Sequence, residues 1–471
     1  MKDIADLVSA FARRIFGRSA EVENLTRLTG GANMESWSFD YAGHGYVLRR
    51  SPSAEMMAGR VYGHDVEAAV VRAAFIAGVK APEIIAEVEA LDNLGTGYMM
   101  RRVEAEVNPA KILASPSPSL LNDLAHELAA IHAVPRDALP ALPEAGAASL
   151  LVDLKTRFLM FGGNRPVMAL AFRWLEDHLP APVDAVLLHG DFRMGNIMVD
   201  AGGLAAVLDW ELAHLGDRHQ DLAFGCINSW RFGYIDRPAF GIGQVDAFFA
   251  AYARESGHNV DAVRFRWWLV YATLWWGVCC LQMTDIWRSG ADSGLERAVI
   301  GRRASETEVD LLMLIEEDAP VEEQHRHPEP RSSLVTDIPV SIAKPKPATE
   351  RQKWMLKKVP HDETVYAGET SAAELLNALA SWIATDIKPH AHGRERFMAA
   401  VAVNALGILK REAEACASIH DKLLSEELLS GSKSLATPGL LAQLKAQSLQ
   451  KLAVDQPKYS ALAVALQKWT H

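Results

Sequence analysis

The spacing of hydrophobic residues changes along this chain. Near the N-terminus, apolar residues at helical spacing predict an amphipathic helix over Ile4–Phe16. Short runs with the two-residue period of strands follow, and beyond residue 104 helical spacing dominates. The pattern predicts a small strand-rich region before a larger helical one. The predicted strands are Leu25–Thr29, Trp37–Tyr41, Tyr46–Arg49, Glu83–Val88 and Thr96–Val103, and the next helices are Gly63–Ile76, Ser119–Val134, Ser149–Phe161 and Met168–Leu179.

Two short apolar runs in the middle of the chain predict a β-hairpin. Asn196–Val199 and Leu204–Leu208 are separated by a glycine-containing turn. Polar residues stand at both outer ends of this hairpin, with Asp191 before the first strand and Asp209 after the second. Because the outer ends of an antiparallel ribbon lie side by side, we expect Asp191, Asn196 and Asp209 to converge.

These three side chains are of the types that phosphoryl transfer requires. Asp191 would orient the attacking hydroxyl and accept its proton, while Asn196 and Asp209 would bind Mg²⁺ against the nucleotide phosphates. Asp191 and Asn196 have the Asp-x-x-x-x-Asn spacing of the protein-kinase catalytic loop, and a second aspartate follows where that fold places its metal ligand. The predicted cofactors are therefore Mg²⁺ and ATP, or another nucleoside triphosphate.

The residues around this motif resemble a known family. His-Gly-Asp-x-x-x-x-Asn at 189–196, followed by Leu-Asp-Trp-Glu at 208–211, is similar to the motifs of aminoglycoside phosphotransferases and choline kinases. Val-Leu-Arg-Arg at 47–50 and the aromatic-rich segments at 229–233 and 266–268 resemble the branch associated with acyl-CoA dehydrogenases. The resemblance implies an α+β, two-lobed protein-kinase-like fold, with a small β-rich N-lobe and a larger helical C-lobe.

Several residues of the small lobe are expected to bind the nucleotide. Gly30 and Gly31 lie in a turn whose backbone N–H groups could approach phosphates, although a plain hairpin turn is the alternative. Arg49 ends the third strand, where a kinase places a lysine, and Glu67 on the next helix is its expected acidic partner. The main chain of Met100–Arg102 is expected to contact the base at the hinge.

Other residues are expected to support the loop or to contact the acceptor. His189 precedes Asp191, and the family resemblance implies that Asp221 accepts hydrogen bonds from the catalytic-loop backbone, with simple helix capping as the alternative. The acceptor pocket is predicted to include Arg231, Trp268 and Trp275, although tryptophans in such stripes more often belong to a core.

Charge and cysteine content exclude some classes of function. The net charge of −11 argues against a nucleic-acid-binding surface. The four cysteines form no Cys-x-x-Cys pair, which argues against structural zinc or a disulfide framework. The uncharged segment Trp267–Met283 is short for a membrane span, so a buried helix is expected there. The N-terminus has no secretory pattern, and a cytoplasmic protein is expected.

The last third of the chain predicts further helices after a linker. Seven prolines interrupt residues 317–362, which are expected to stay extended. Residues 363–471 form the all-α part of the predicted fold, beginning with a capping box at 371–374 and including a long helix over Arg394–Leu423. A partner protein or a second copy is expected to bind this region. The predicted domains are an N-lobe at 1–104, a C-lobe at 105–316, the linker at 317–362 and the helical region at 363–471.

Together these features predict a phosphotransferase that moves the γ-phosphate of ATP to a hydroxyl group of a small molecule. The branch resemblance implies a hydroxyacyl-CoA or a related catabolic intermediate as acceptor. An aminoglycoside acceptor is one alternative. A nucleotide-binding regulator without catalysis, whose helical region docks a partner enzyme, is the other, since Arg49 departs from the kinase lysine.

Overall fold

The computed structural model describes residues 4–17, 20–28, 34–53, 57, 60–292, 294–326, 372–414 and 421–470. The chain divides into two compact units. Unit 1 comprises Met1–Val152 and His178–Ala272, and unit 2 comprises Asp153–Asp177 and Thr273–His471. These units do not follow the predicted lobe and domain boundaries, and that domain scheme stays a prediction.

A five-stranded antiparallel sheet opens unit 1. Its elements are α1 (Ile4–Phe16), β1 (Val22–Arg27), β2 (Glu35–Tyr41), β3 (His44–Ser51), α2 (His64–Ile76), β4 (Ile84–Glu87) and β5 (Thr96–Arg101). The strand order is β1-β2-β3-β5-β4, so β3 and β5 are central strands.

Side-chain alternation in the sheet decides which residues reach the site. Phe39 and Tyr41 of β2 and Leu48 of β3 pack with Val8 and Phe11 of α1 in one buried cluster. Because successive strand residues point to opposite faces, Arg49 projects to the other face of the sheet. The helix α2 contributes its side chains to that second face.

The remaining elements include two short β-ribbons. The elements are α3 (Pro109–Ala114), α4 (Leu120–His132), α5 (Ala147–Met160), α6 (Pro166–Asp177), β6 (Val186–Leu188), β7 (Ile197–Asp200), β8 (Gly203–Val207), β9 (His214–Gly216), α7 (Arg218–Phe224), α8 (Val245–Ser256) and α9 (Ala262–Arg288). The predicted hairpin is confirmed, with Ile197 of β7 opposite Val207 of β8. The second ribbon, β6 with β9, was not predicted.

Lys80 connects the turn after α2 to this hairpin. Its carbonyl oxygen accepts a hydrogen bond from Val207 N at 2.8 Å. Its ammonium group donates to Leu204 O at 2.5 Å, and its backbone N–H donates to Glu127 of α4. The hairpin is therefore tied to the end of α2 by main-chain and side-chain bonds.

Unit 2 is helical in the residues that the structure describes. Its further elements are α10 (Leu295–Gly301), α11 (Ala304–Ile315), α12 (Val321–Gln324), α13 (Ala372–Trp382), a π-helical turn at Ile383–Ile387, α14 (Gly393–Glu414), α15 (Lys422–Ser430), α16 (Leu440–Asp455) and α17 (Ser460–Thr470). Helix α11 is buried along most of its length and packs against α6, α16 and α17. No described helix has both the length and the apolar character for a membrane crossing, and Trp267–Met283 lies within α9 as expected.

A set of ion pairs in unit 2, whose acids are buried, lies along α11 and just after its end, and we name it the α11 charge layer. Arg165 contacts Glu308 through two nitrogen atoms, at 2.7 and 2.5 Å, and both side chains are buried. The carboxylate of Glu316 contacts the ammonium groups of Lys445 and Lys468, each at 2.5 Å. Two lysines of the last helices therefore neutralise Glu316, which directly follows α11.

Two predictions for the last third of the chain are wrong. The helix predicted over Arg394–Leu423 is not continuous, because Asp421 has an extended backbone and its side chain accepts a hydrogen bond from Leu424 N, capping a new helix. The predicted linker begins with a 3₁₀ turn at Glu316–Asp318 and with α12, so its first residues are not extended. The rest of that linker and Ser371 of the predicted capping box lie outside the described residues.

Candidate active site

The hairpin brings the predicted catalytic residues together. The amide nitrogen of Asn196 donates to Asp191 Oδ2 at 2.5 Å and to Asp191 O at 3.0 Å. Leu208 N donates to Asn196 O at 2.7 Å, which places the neighbouring Asp209 beside the same loop. The convergence expected from the ribbon geometry is present.

Asp191 has the environment of a proton acceptor. Burial raises the pKa of its carboxyl group to about 6, against the opposing charge of Arg193, whose Nε donates to Asp191 Oδ1 at 2.8 Å. The Arg193 guanidinium also lies 4.5 Å from the ring centre of Trp230. The carboxylate is thus held by two donors and has a pKa close to that of an effective base at neutral pH.

His189 supports the catalytic loop as a neutral ring. Asp191 N donates to His189 Nδ1 at 3.2 Å, so Nδ1 carries no proton and the proton is on Nε2. That Nε2–H donates to Leu208 O at 3.0 Å. Burial lowers the pKa of His189, which agrees with the neutral form. This single tautomer connects the loop before β7 with the end of β8.

Asp221 supports the same loop from α7. Its two carboxylate oxygens accept hydrogen bonds from His189 N at 2.7 Å and from Gly190 N at 2.9 Å. These are the backbone contacts that the family resemblance implied. The helix itself is capped by Asp217, which accepts a hydrogen bond from His219 N. Capping and loop support therefore belong to different aspartates.

Arg49 lies among three carboxylates. Its Nη2 is 2.6 Å from Asp209 Oδ1 and 3.0 Å from Glu211 Oε2, and its Nε is 3.5 Å from Glu67 Oε1. Tyr98 donates to the same Glu67 oxygen at 2.9 Å. The expected Arg49 and Glu67 pair is present, and Arg49 also bonds Asp209, the predicted metal ligand.

Asp209 and Asn196 fit a magnesium ion that arrives with phosphates. Burial raises the pKa of Asp209, but Arg49 outweighs that effect, and the resulting pKa lies below the usual value. Because the side-chain nitrogen of Asn196 donates to Asp191, the side-chain oxygen of the same amide can bind a cation. Among the described residues, no three His, Cys, Asp or Glu side chains form a metal-binding group. One carboxylate and one amide suit Mg²⁺, which takes other ligands from phosphates and water.

Comparison with known proteins decides the family. Residues 24–258 match the profile described as "Phosphotransferase enzyme family". The chain carries a domain of this family. Residues 389–459 match a domain of unknown function, DUF6285. Together with the relatives named acyl-CoA dehydrogenase family members, described next, this match confirms the suspected family and its branch.

Similar proteins agree with this assignment. Acyl-CoA dehydrogenase family member 10 of Mus musculus is 25% identical over 278 residues, which cover 54% of this chain and 26% of that protein. Hygromycin-B 4-O-kinase of Escherichia coli is 24% identical over 43% of this chain and 61% of the kinase. The chain thus matches only about a quarter of the mouse relative's length.

A solved structure supports the fold. The crystal structure of a candidate aminoglycoside phosphotransferase from Ralstonia eutropha has a TM-score of 0.50 and 19% identity, covering 64% of this chain and 95% of that one. The predicted kinase-like fold class is confirmed.

Two predictions for nucleotide contacts have other outcomes. Gly30 and Gly31 lie outside the described residues. The base contact predicted for the main chain of Met100–Arg102 is wrong for two of its N–H groups, because Arg101 N donates to Glu83 O and Arg102 N to Gly45 O. Met100 is also paired on both sides, since β5 is a central strand. The Arg102 side chain bonds Asp40 and Glu104.

The three residues predicted to line the acceptor pocket have different environments in the structure. The prediction that Trp268 lines the acceptor pocket is wrong, because this side chain is fully buried and its indole N–H donates to Asp217 Oδ2 at 2.8 Å. The guanidinium of Arg231 donates to Cys226 O and so stabilises its own loop. Trp275 is half-buried in unit 2. Acceptor contacts of Arg231 and Trp275 stay predictions.

Sequence reasoning missed Arg60. Its guanidinium contacts Glu211 and lies 3.5 Å from Glu67 Oε2. The residue stands alone before α2, in a stretch without periodicity or motif, so no local signal pointed to it. Only the tertiary structure brings it to the phosphotransferase site.

Proposed function

We propose that the phosphotransferase domain transfers the γ-phosphate of Mg·ATP to a hydroxyl group of a small molecule. The observation that carries this proposal is the setting of Asp191, a largely buried carboxylate held by Asn196 and Arg193 with a pKa raised to about 6. Such a group can orient a hydroxyl and accept its proton as the phosphoryl group arrives.

The nucleotide side of the proposal uses Arg49, Asn196 and Asp209. Bound Mg²⁺ would neutralise charge on the phosphate oxygens, and Asn196 and Asp209 are the residues proposed to hold it. Arg49 and Asp209 bond each other at 2.6 Å, so each gives up part of that contact when the nucleotide binds. Arg49 then places a permanently charged guanidinium against phosphate.

Asp191→Asn tests this proposal. The amide keeps the size of the side chain but cannot accept the proton, so we expect phosphate transfer to fall by about a hundredfold to ten-thousandfold. The matched control is Asp200→Asn at the exposed hairpin turn, which should transfer at the parent rate. Parent-like turnover of Asp191→Asn would overturn the assignment.

A hydroxyacyl-CoA or a related catabolic intermediate is the acceptor that we propose. The relatives named acyl-CoA dehydrogenase family members support this class. Arg193, stacked on Trp230 beside Asp191, also suits an anionic or planar group better than a polycation.

An aminoglycoside is the second candidate, because one relative is named hygromycin-B 4-O-kinase. Assays of phosphate transfer from Mg·ATP to 3-hydroxyacyl-CoAs and to hygromycin B would separate the two classes. Tight Mg·ATP binding without transfer to either class would favour the regulator without catalysis.

A further inference from the structure

Arg60 shares its carboxylate partners with Arg49. Arg49 lies closest to Oε1 of Glu67 and Arg60 to Oε2, each at 3.5 Å. Both guanidiniums also reach the same oxygen, Oε2 of Glu211. Two cations that contact one oxygen atom lie side by side, although one comes from β3 and the other from the segment before α2.

The neighbouring Tyr62 places Arg60 at this position. The Tyr62 hydroxyl lies 2.9 Å from the carbonyl oxygens of both Trp210 and Ala213. This contact fixes the segment before α2 to the loop that follows Asp209. The Arg60 side chain is only 16% exposed, so its direction is defined by packing as well as by charge.

Once Asp209 turns to a metal ion, this pair of arginines is suited to an anionic ligand. Two neighbouring guanidiniums repel each other, and here three acids, Glu67, Asp209 and Glu211, offset that repulsion. When Asp209 binds a cation instead, Arg49 loses one acceptor, and both arginines keep only the carboxylates of Glu67 and Glu211. Guanidinium groups bind phosphate oxygens through paired, charge-assisted hydrogen bonds.

We propose that Arg60 is a second phosphate-binding residue of the nucleotide site, acting beside Arg49 on the triphosphate of Mg·ATP. This inference rests on the proposed phosphotransferase function and adds a residue to it. Glu211 holds both arginines in place before the nucleotide binds, and the triphosphate then takes over part of that role.

Calorimetric titration with Mg·ATP tests the role of Arg60. We expect Arg60→Gln to weaken Mg·ATP binding about tenfold or more and to weaken inorganic tripolyphosphate as a competitor, while adenosine binding stays unchanged. The control is Arg72→Gln, which removes a partly exposed arginine of α2 that pairs with Glu87 of β4, and this variant should bind Mg·ATP like the parent. A Kd for Arg60→Gln within twofold of the parent would overturn the inference.

A second comparison distinguishes direct contact from an effect through Glu67. If Arg60 only holds Glu67, Arg60→Gln adds nothing in a Glu67→Gln background, and this result would also overturn the inference. If Arg60 contacts phosphate, the second substitution costs a further severalfold loss of Mg·ATP affinity. Should Arg60→Gln fail to fold, Arg60→Met keeps the apolar stem and the same titration decides.

The titration is independent of turnover. Failure of the proposed function appears as an unchanged rate of phosphate transfer in Asp191→Asn, whatever Arg60 does. Failure of the present inference appears as unchanged Mg·ATP and tripolyphosphate affinity in Arg60→Gln, while Asp191→Asn still lowers the rate of phosphate transfer as expected.

Discussion

The charge cluster of the candidate site and the α11 charge layer of unit 2 differ in exposure and in balance. In the site, two arginines face three acids, and the side chains of Asp209 and Glu211 are 31% and 34% exposed. In unit 2, Arg165 and Glu308 are 6% and 1% exposed and pair with each other. The site therefore carries a surplus of acids near solvent before a ligand binds, whereas the Arg165–Glu308 pair of the α11 charge layer is buried and matched one to one.

This difference indicates different uses of the same side-chain types. A partly exposed carboxylate can exchange an arginine for a cation at small cost, because water stabilises it during the exchange. A buried pair cannot, because a single buried charge left without its partner is strongly unfavourable. The site cluster is suited to ligand exchange and the α11 charge layer to permanent packing.

Asp209→Asn should give the largest effect that separates the two clusters. Losing the predicted metal ligand is expected to lower phosphate transfer about a thousandfold, or about 4 kcal/mol in activation free energy. The melting temperature should stay within a few degrees of the parent value, since the variant removes one of three crowded acids. Transfer rates and thermal melts measure both quantities, and a variant that is unstable but active would contradict the comparison.

Arg165→Met is expected to have the opposite effects, with a large loss of stability and little direct effect on phosphate transfer. It leaves Glu308 buried without its partner, so the free energy of unfolding should fall by about 3–5 kcal/mol in urea titrations. Arg173→Met is the control, on the helix α6 that begins one residue after Arg165, because its pair with Asp177 is exposed and contributes below about 1 kcal/mol. The double variant Arg165→Met, Glu308→Leu should recover most of the loss, and an undiminished midpoint for Arg165→Met alone would refute the idea of a closed layer.

The two lysines on Glu316 refine the comparison within unit 2. Lys445 is 6% exposed and Lys468 is 53% exposed, although both lie 2.5 Å from this carboxylate. We expect Lys445→Met to cost about 1–3 kcal/mol of unfolding free energy and Lys468→Met less than about 1 kcal/mol. Equal losses would mean that exposure does not decide the strength of these pairs.

The smallest expected effect is a shift in the pH dependence of kcat between the parent protein and Arg193→Gln. Because catalysis needs the ionised form of Asp191 and its pKa is raised to about 6, kcat should fall as the pH drops below about 6. Arg193 lowers this pKa, so Arg193→Gln should move the midpoint to higher pH. Measurements of kcat between about pH 5 and pH 8 would show this shift of the midpoint. A midpoint that does not move would exclude Asp191 as the titrating group.

The sequence predicted those parts of the site that depend on local patterns. The hairpin follows from alternation and turn glycines, and the meeting of Asp191 with Asn196 follows from the hairpin. The Asp221 contacts came from family resemblance.

Residues that act through tertiary contacts escaped prediction. Arg60 and the partners of Glu316 come from segments far apart in the chain, and nothing in their own neighbourhood marks them. The wrong prediction of one helix through Asp421 has a related cause, since helical spacing persists on both sides of Asp421 and only its capping bond shows that a new helix begins there.

Lys80 has a consequence for how the site is lost. By bonding Val207 and Leu204, it joins the turn after α2, the helix whose first turn carries Glu67, to the hairpin that leads into Asp209. We therefore expect both halves of the nucleotide site to melt in one cooperative step. Partial unfolding that spares the sheet but separates Glu67 from Asp209 should not accumulate, and loss of nucleotide binding on heating should coincide with loss of the fold.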